Sequence, residues 1–166
     1  TSKGNEAFRG SAPTGAGVQK MSTELNQPAI TARIIPNNRR MAFLPRLFGA
    51  WYLTGEAGVY NHARSLCADY QGGSWEFAEL SCGSGFMYPL SAERFTVSVS
   101  GNWFEGELSA EATGIVLTLF TLNHMIWHAH DAGYEHICDM LITQQEKLKL
   151  YADQHAEAGL IYRAID

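Results

Sequence analysis

The sequence has little cysteine, no long apolar run and no excess of positive charge, and each absence excludes a class of protein. Its three cysteines, Cys67, Cys82 and Cys138, are an odd number without a C-x-x-C pair, which favours a reducing cytoplasm over secretion. The longest apolar stretch, residues 115–127, is interrupted by polar side chains and falls short of the ~20 residues that span a bilayer. Twelve basic and seventeen acidic side chains among 166 residues argue against a general nucleic-acid binder. We therefore expect a mildly acidic cytoplasmic protein without a membrane partner.

Residues 1–20 differ in composition from the rest of the chain. They contain four glycines, Pro13 and small polar residues, with few large apolar side chains. Met21 follows, and Met-Ser-Thr resembles a natural start. We interpret residues 1–20 as a vector-derived leader and residues 21–166 as a single domain. Without the leader, nine basic and sixteen acidic side chains remain, a net charge near −7.

The charge is unevenly distributed along the chain. A basic segment contains Arg33, Arg39, Arg40 and Arg46, whereas the chain from residue 47 onward has five basic and fifteen acidic side chains. Duplex DNA carries one charge per ~1.7 Å, a density that these dispersed carboxylates cannot reproduce, so an extended DNA mimic is excluded. The acidic body instead suggests a basic protein partner. A DNA binder that uses the four arginines is a weaker alternative, and we do not expect direct DNA binding.

The first half of the domain reads as a strand followed by helices. Residues 29–35 are rich in β-branched side chains and predict a short strand. A short helix is predicted over residues 38–43, and Pro45 should end it. Thr54 can cap a second helix, whose apolar period extends to Tyr70 before two glycines stop it.

Residues 75–108 have the alternation of antiparallel strands. Phe95, Val97 and Val99 alternate with hydroxyl side chains, which is typical of a half-buried strand. The glycine-rich loop 82–85 lies between two strand candidates and reads as a hairpin turn. The segment therefore predicts an antiparallel meander of three or four strands.

Helices complete the chain. Ser109 caps a long, almost uniformly apolar helix that should end near Gly133 and lie buried at the centre. An amphipathic helix with Ile137, Leu141 and Leu148 on its apolar face follows, and a short helix over residues 157–165 comes last. We predict an α+β fold in which a small antiparallel sheet packs with a bundle of helices.

Two histidines and an aspartate are candidate metal ligands. His124 and His128 share a helix face, with Asp131 about one turn further on, so they could bind zinc. A zincin needs H-E-x-x-H, and Met125 stands where its glutamate would be. Histidines in the last turn of a helix are also favoured by the helix dipole. We therefore expect no metal and no cofactor, and keep a small metal-dependent hydrolase using His124, His128 and Asp131 as the alternative.

Two further motifs do not carry chemistry. Cys82 could be a nucleophile, but the sequence offers no positioned partner for its thiolate, and a plain turn explains the loop better. The segment 10–15 has the opening spacing of a phosphate loop, but Ala16 stands where the lysine is needed. We predict no catalytic residue and therefore no enzyme.

Several ordered motifs resemble the ArdB/KlcA antirestriction family. The resemblance runs from about residue 25 to 165, and it is carried by residues 27–32 (QPAITA), 44–49 (LPRLFG), Gly55-Glu56, Val59-Tyr60, 69–77 (DYQGGSWEF), Leu80-Ser81 and 151–155 (YADQH). It implies an α+β domain, borne by a plasmid or mobile element, that protects incoming DNA from type I restriction in the bacterial cytoplasm. It also implies a protein that is neither an enzyme nor a simple DNA mimic, and it assigns no functional residue.

The charge pattern and the resemblance together give a hypothesis for function. We expect a non-catalytic inhibitor that contacts a protein, either the type I restriction–modification enzyme or a host factor that it needs. An acidic surface is the expected contact, and its candidate residues are Glu105, Glu107, Glu111, Asp131, Asp139 and Asp153.

Overall fold

A computed structural model describes residues 8–10 and 28–166 of the chain. Within these residues the chain forms five strands and five α-helices. Their bounds are β1 Ala32–Ile34, α1 Arg40–Phe48, α2 Tyr52–Leu66, β2 Trp75–Leu80, β3 Gly85–Pro89, β4 Arg94–Val99, β5 Phe104–Ser109, α3 Ala110–Asp131, α4 Glu135–Gln154 and α5 Ala158–Ile165. The predicted leader lies outside the described residues except for Phe8, Arg9 and Gly10, and so does most of the phosphate-loop-like segment.

The strands form two small antiparallel sheets that pack with the helices. β1, β2 and β3 form the first sheet in that order, and β4 pairs with β5 to form the second. The predicted α+β class is confirmed, but the meander expected over residues 75–108 is divided between the sheets. β3 ends at Pro89, which has no N–H to donate to a further ladder. β4 does not pair with β3, and its Val97 also forms an isolated bridge with Cys67.

Two predicted helix ends are wrong. α1 continues through Pro45 to Phe48. Pro45 has no N–H to donate to the Met41 carbonyl, four residues earlier. Both residues lie on the solvent face of α1, so water can bond this carbonyl instead. α2 ends at Leu66 instead of extending to Tyr70, because Cys67 is extended and bridges Val97. The bridge between Cys67 and Val97 therefore ends the helix before its apolar period ends.

α3 forms the centre of the molecule, as its apolar sequence predicts. Ser109 caps it, with its hydroxyl oxygen accepting from the Ala112 N–H at 3.1 Å. Fifteen of its 22 residues are buried. α4 runs antiparallel to α3 after a turn in which Gly133 adopts φ +83°, the left-handed conformation that favours glycine. In the described part of the chain, none of the helices has both the length and the apolar character needed to cross a membrane.

Candidate functional site

The α3–α4 hairpin divides the predicted acidic surface into two ends. Glu111 and Asp131 occupy opposite ends of α3, about 30 Å apart at 1.5 Å per residue. Because α4 returns antiparallel, Asp153 lies toward the Glu111 end and Asp139 toward the Asp131 end. The six candidate carboxylates therefore do not form one continuous patch.

At the Glu111 end, most of the carboxylates are engaged within the fold. Glu107 accepts from the Arg94 Nε at 2.6 Å. Glu111 accepts from the Tyr151 hydroxyl at 2.8 Å, and Asp153 accepts from Tyr162. Glu105 is exposed on the neighbouring strand β5.

At the Asp131 end, both candidate carboxylates face solvent. Asp131 is the last residue of α3, and its side chain keeps 56% of its surface exposed. Asp139 is exposed in the second turn of α4. Asp131 accepts a hydrogen bond from the Arg9 guanidinium, with Nη1 and Oδ2 3.0 Å apart. This end of the hairpin thus already holds one arginine on a predicted acidic residue.

The basic segment folds back on two glutamates of β2. Glu79 pairs with Arg33 and with Arg46, both at 2.9 Å. Glu76 pairs with Arg40 at 3.2 Å. Three of the four arginines that could have met DNA phosphates therefore have carboxylate partners within the fold.

The three candidate metal ligands do not converge. The His124 ring lies 6.3 Å from the His62 ring, and the His128 ring lies 5.5 Å from the Trp51 ring. Asp131 is engaged by Arg9. Over residues 8–10 and 28–166, no three histidine, cysteine, aspartate or glutamate side chains are placed to hold a metal ion.

The cysteine thiols occupy ordinary packing positions. Burial, with a smaller contribution from Asp69, raises the pKa of Cys67 to about 12. Burial also raises the pKa of Cys138. Cys82 lies in the turn of the β2–β3 hairpin and its thiol faces the Lys147 carbonyl at 3.8 Å, which confirms the predicted hairpin loop. A raised pKa disfavours the nucleophilic thiolate at the two buried positions.

Sequence reasoning missed two features of the helical pair. A cleft of about 410 Å³ opens between β1 and α4, with Tyr88, Glu111 and Tyr151 in its lining. Asn123, which reads in the sequence as a polar interruption of an apolar helix, is only 3% exposed and bonds the main chain of Arg9. A buried amide within an apolar helix was the available signal, because such groups need partners.

Comparisons with known proteins agree on one family. A family model described as Antirestriction protein matches residues 68–166. The chain is 44% identical over 147 residues to the antirestriction protein KlcA of Escherichia coli, covering 88% of this chain and all of that protein. It is 38% identical over 127 residues to the putative antirestriction protein YubI of Escherichia coli K12, covering 76% of this chain and 89% of that protein.

A solved structure gives the same result for the fold. It superposes with a TM-score of 0.75 at 43% sequence identity, covering 88% of this chain and all of that one. It belongs to a study of the KlcA and ArdB proteins, which show a novel fold and antirestriction activity against Type I DNA restriction systems in vivo but not in vitro.

Proposed function

Since the chain belongs to the antirestriction protein family, as its motifs indicated, we propose that it relieves type I restriction of incoming plasmid or mobile-element DNA. It acts in the cytoplasm of the bacterium that receives the DNA. It does so without catalysis, by contacting either the restriction–modification enzyme or a host factor that this enzyme needs.

The behaviour of the relatives supports a contact that depends on the cell. KlcA and ArdB act against type I systems in vivo but not in vitro. An inhibitor that needed only the purified enzyme would act in both settings. Of the two partners, the contrast therefore favours a host factor of the restricting cell.

The Asp131 end of the α3–α4 hairpin is the contact surface that we favour. Asp131 and Asp139 are both exposed there, and Asp131 already bonds an arginine guanidinium at 3.0 Å. Carboxylates that face solvent can pair with basic groups of a partner at little desolvation cost. This arginine contact is the observation that carries the proposal of an acidic docking surface.

The distribution of carboxylates supports a local contact over imitation of DNA. Glu107 is neutralised by Arg94, and Glu76 and Glu79 by arginines of the basic segment. Duplex DNA presents a regular series of unpaired phosphates at ~1.7 Å per charge. The exposed carboxylates of this protein are instead separated, with Glu105 on β5 and Asp131 and Asp139 at the other end of the α3–α4 hairpin.

The test is plasmid transfer into a host with a type I restriction system, compared with the same host lacking it. We expect D131K/D139K to lose most of its protection, because reversed charges repel a basic partner. A second double variant, E105K/E107K, reverses the exposed carboxylates of β5. E93K/E146K is the matched control, because Glu93 and Glu146 are exposed acids outside the candidate set and their reversal makes the same change of net charge.

Circular dichroism and thermal unfolding of each variant separate loss of contact from loss of fold. Full protection by both double variants, in folded form, would remove the acidic contact from the proposal. Equal loss in E93K/E146K would show that only net charge matters.

A further inference from the structure

Two residues near the start of the chain, Phe8 and Arg9, lie along one stripe of α3. Phe8 lies against Phe120, and Arg9 lies against Asn123, Trp127 and Asp131. The four helical residues are spaced by three or four positions, so they form one face of α3. A short peptide segment is therefore seated along that face.

Asn123 binds the peptide backbone of this segment. Its Oδ1 accepts from the Arg9 main-chain N–H at 3.0 Å, and its Nδ2 donates to the Arg9 carbonyl at 3.2 Å. The Trp127 indole N–H donates to the same carbonyl at 3.3 Å. One amide side chain thus exchanges both hydrogen bonds with one residue, as paired residues do in an antiparallel ladder. Such a clamp requires an extended backbone and accepts any residue that has a main-chain N–H, which excludes proline.

The neighbouring side chains select an arginine. The Arg9 guanidinium lies 4.2 Å from the centre of the Trp127 ring, and its Nη1 is 3.0 Å from Asp131 Oδ2. A planar cation can stack on an indole and bond a carboxylate at the same time, which lysine does less well. The Trp127 ring and the Asp131 carboxylate therefore select arginine, whereas Asn123 binds only the backbone.

Phe8, the residue before Arg9, packs against an aromatic side chain of α3. The Phe8 ring meets the Phe120 ring edge to face, with centroids 5.6 Å apart at 89°. The Lys149 ammonium lies 5.1 Å from the centre of the Phe8 ring. A ring at this position contacts both α3 and α4, and edge-to-face pairs of this kind are favourable.

We propose that this face of α3 is a peptide-binding site for an extended segment of a protein partner, with an aromatic residue followed by arginine. Phe8 and Arg9 occupy the site in this chain and show which side chains it accepts. The identity of the partner rests on the proposed function, whereas the site itself rests on the contacts of Phe8 and Arg9. The site also places a ligand on Asp131, which belongs to the proposed acidic surface.

The first measurement asks whether the site is occupied in the full chain. The probe is the ¹H,¹⁵N resonance of the Trp127 indole N–H, assigned by its loss in W127F. We expect F8A/R9A to shift this resonance, because the variant removes the guanidinium stacked on the ring. An unchanged resonance would overturn the assignment of Phe8 and Arg9 to the site.

The second measurement adds a blocked peptide, acetyl-Ala-Phe-Arg-Gly-Ala-amide, to F8A/R9A, with binding followed by the same resonance and by calorimetry. We expect saturable binding that returns the indole resonance toward its position in the unaltered chain. Replacing arginine by uncharged citrulline should weaken binding about tenfold, since both the cation–π attraction to Trp127 and the ion pair with Asp131 are lost.

Variants of the site test each contact in the F8A/R9A background. N123A removes two hydrogen bonds and should weaken the peptide about thirtyfold. D131N should weaken it severalfold and reduce, without abolishing, the preference for arginine over citrulline, because the cation–π contact with Trp127 remains. E135Q is the matched control, because Glu135 is an exposed acid in the first turn of α4, near the same end of the hairpin, and lies outside both the candidate acidic set and the contacts that define the site. It should bind the peptide unchanged.

Failure of the site and failure of the proposed function give different results. No saturation by the peptide, or equal binding of the citrulline peptide, overturns the site even if D131K/D139K loses plasmid protection. Peptide binding with full protection by D131K/D139K keeps the site and removes its connection to restriction.

Discussion

The Tyr151 hydroxyl donates to Glu111 Oε1 at 2.8 Å and thereby joins the last turns of α4 to the first turn of α3. The His155 ring lies on the same carboxylate, with Nε2 3.5 Å from Oε1. Burial, followed by this hydrogen bond, raises the pKa of Tyr151 well above its usual range. The bond therefore couples the stability of the helical pair to the protonation of a tyrosine.

Tyr151→Phe should change how the protein responds to alkali. The raised pKa means that the unfolded chain ionises first, so the stability from this group is fully present below pH 10 and is lost as the pH rises above it. We expect Y151F to be destabilised by about 1 kcal/mol at pH 8 and to lose less stability than the unaltered protein between pH 10 and 11. Urea unfolding at pH 8, 10 and 11 measures both effects.

Tyr162 and Tyr134 provide the comparisons for this prediction. The pKa of Tyr162 is also raised, by burial and by its bond to Asp153, so Y151F should retain part of the alkaline loss. Y134F changes an exposed tyrosine that meets Trp51 through its ring, and it should follow the unaltered protein. Parallel curves for Y151F and the unaltered protein would contradict the assignment.

Glu157→Gln should reduce stability at neutral pH and flatten its dependence on acid. Glu157 Oε1 accepts from the Ser109 N–H at 2.8 Å, and Oε2 accepts from the Ser109 hydroxyl. Burial raises the pKa of Glu157, but these bonds and the charges of His155 and Arg94 outweigh it and hold the pKa below its usual value. Stability from this group is present above pH 4.5 and is lost as the pH falls through the lowered pKa.

The measurement for Glu157 is thermal unfolding from pH 7 to pH 3. We expect E157Q to be about 1 kcal/mol less stable at pH 7, with a smaller loss on acidification. E146Q, at an exposed position of α4, should behave like the unaltered protein. A variant curve that stays parallel down to pH 3 would show that the Ser109 contact is not linked to this carboxylate.

Local patterns predicted the elements whose residues carry their own start and stop signals. The Ser109 cap, the apolar length of α3 and the stop at Gly133 are all local, and all are confirmed. The end of α2 was missed because it depends on Cys67 bridging Val97, thirty residues away. Such a contact adds nothing to the local period from which a helix is predicted.

The candidate site was predicted by residue type but not by arrangement. The acidic surface was expected from composition. Its division into two ends follows from the antiparallel packing of α4 on α3, which the number of charged residues does not predict. Asn123 was passed over because the sequence shows the amide in the apolar helix but not the residue that pairs with it. Its partner Arg9 lies 114 positions away.

Glu79→Gln should expose a weak affinity for DNA that the fold otherwise suppresses. Glu79 is shared by Arg33 and Arg46, whose side chains keep 72% and 66% of their surface exposed. Removing the carboxylate leaves two surface arginines without this counter-charge. We expect severalfold tighter binding to a short duplex at low salt, with a salt slope steeper by about one to two.

Fluorescence anisotropy with a labelled duplex at several salt concentrations measures this effect. E146Q makes the same change of net charge away from the arginines and should leave DNA binding unaltered. Equal gains in both variants would assign the effect to net charge, and tight binding by the unaltered protein would restore the direct DNA binder as an alternative.

Gly114→Ala should be the most damaging small substitution in α3. A Cβ at this position would lie 2.2 Å from the Met87 carbonyl oxygen and 2.6 Å from the Tyr88 Cα, so the helix and β3 would have to separate. Overpacking of this kind typically costs about 1–3 kcal/mol, against a gain of about 1 kcal/mol from the better helix propensity of alanine. We expect a net loss in urea unfolding. Gly159→Ala is the control, since a Cβ there meets nothing within 4 Å and the substitution in α5 should be neutral or stabilising. Equal stability of the two variants would contradict the direct contact of α3 with the backbone of β3.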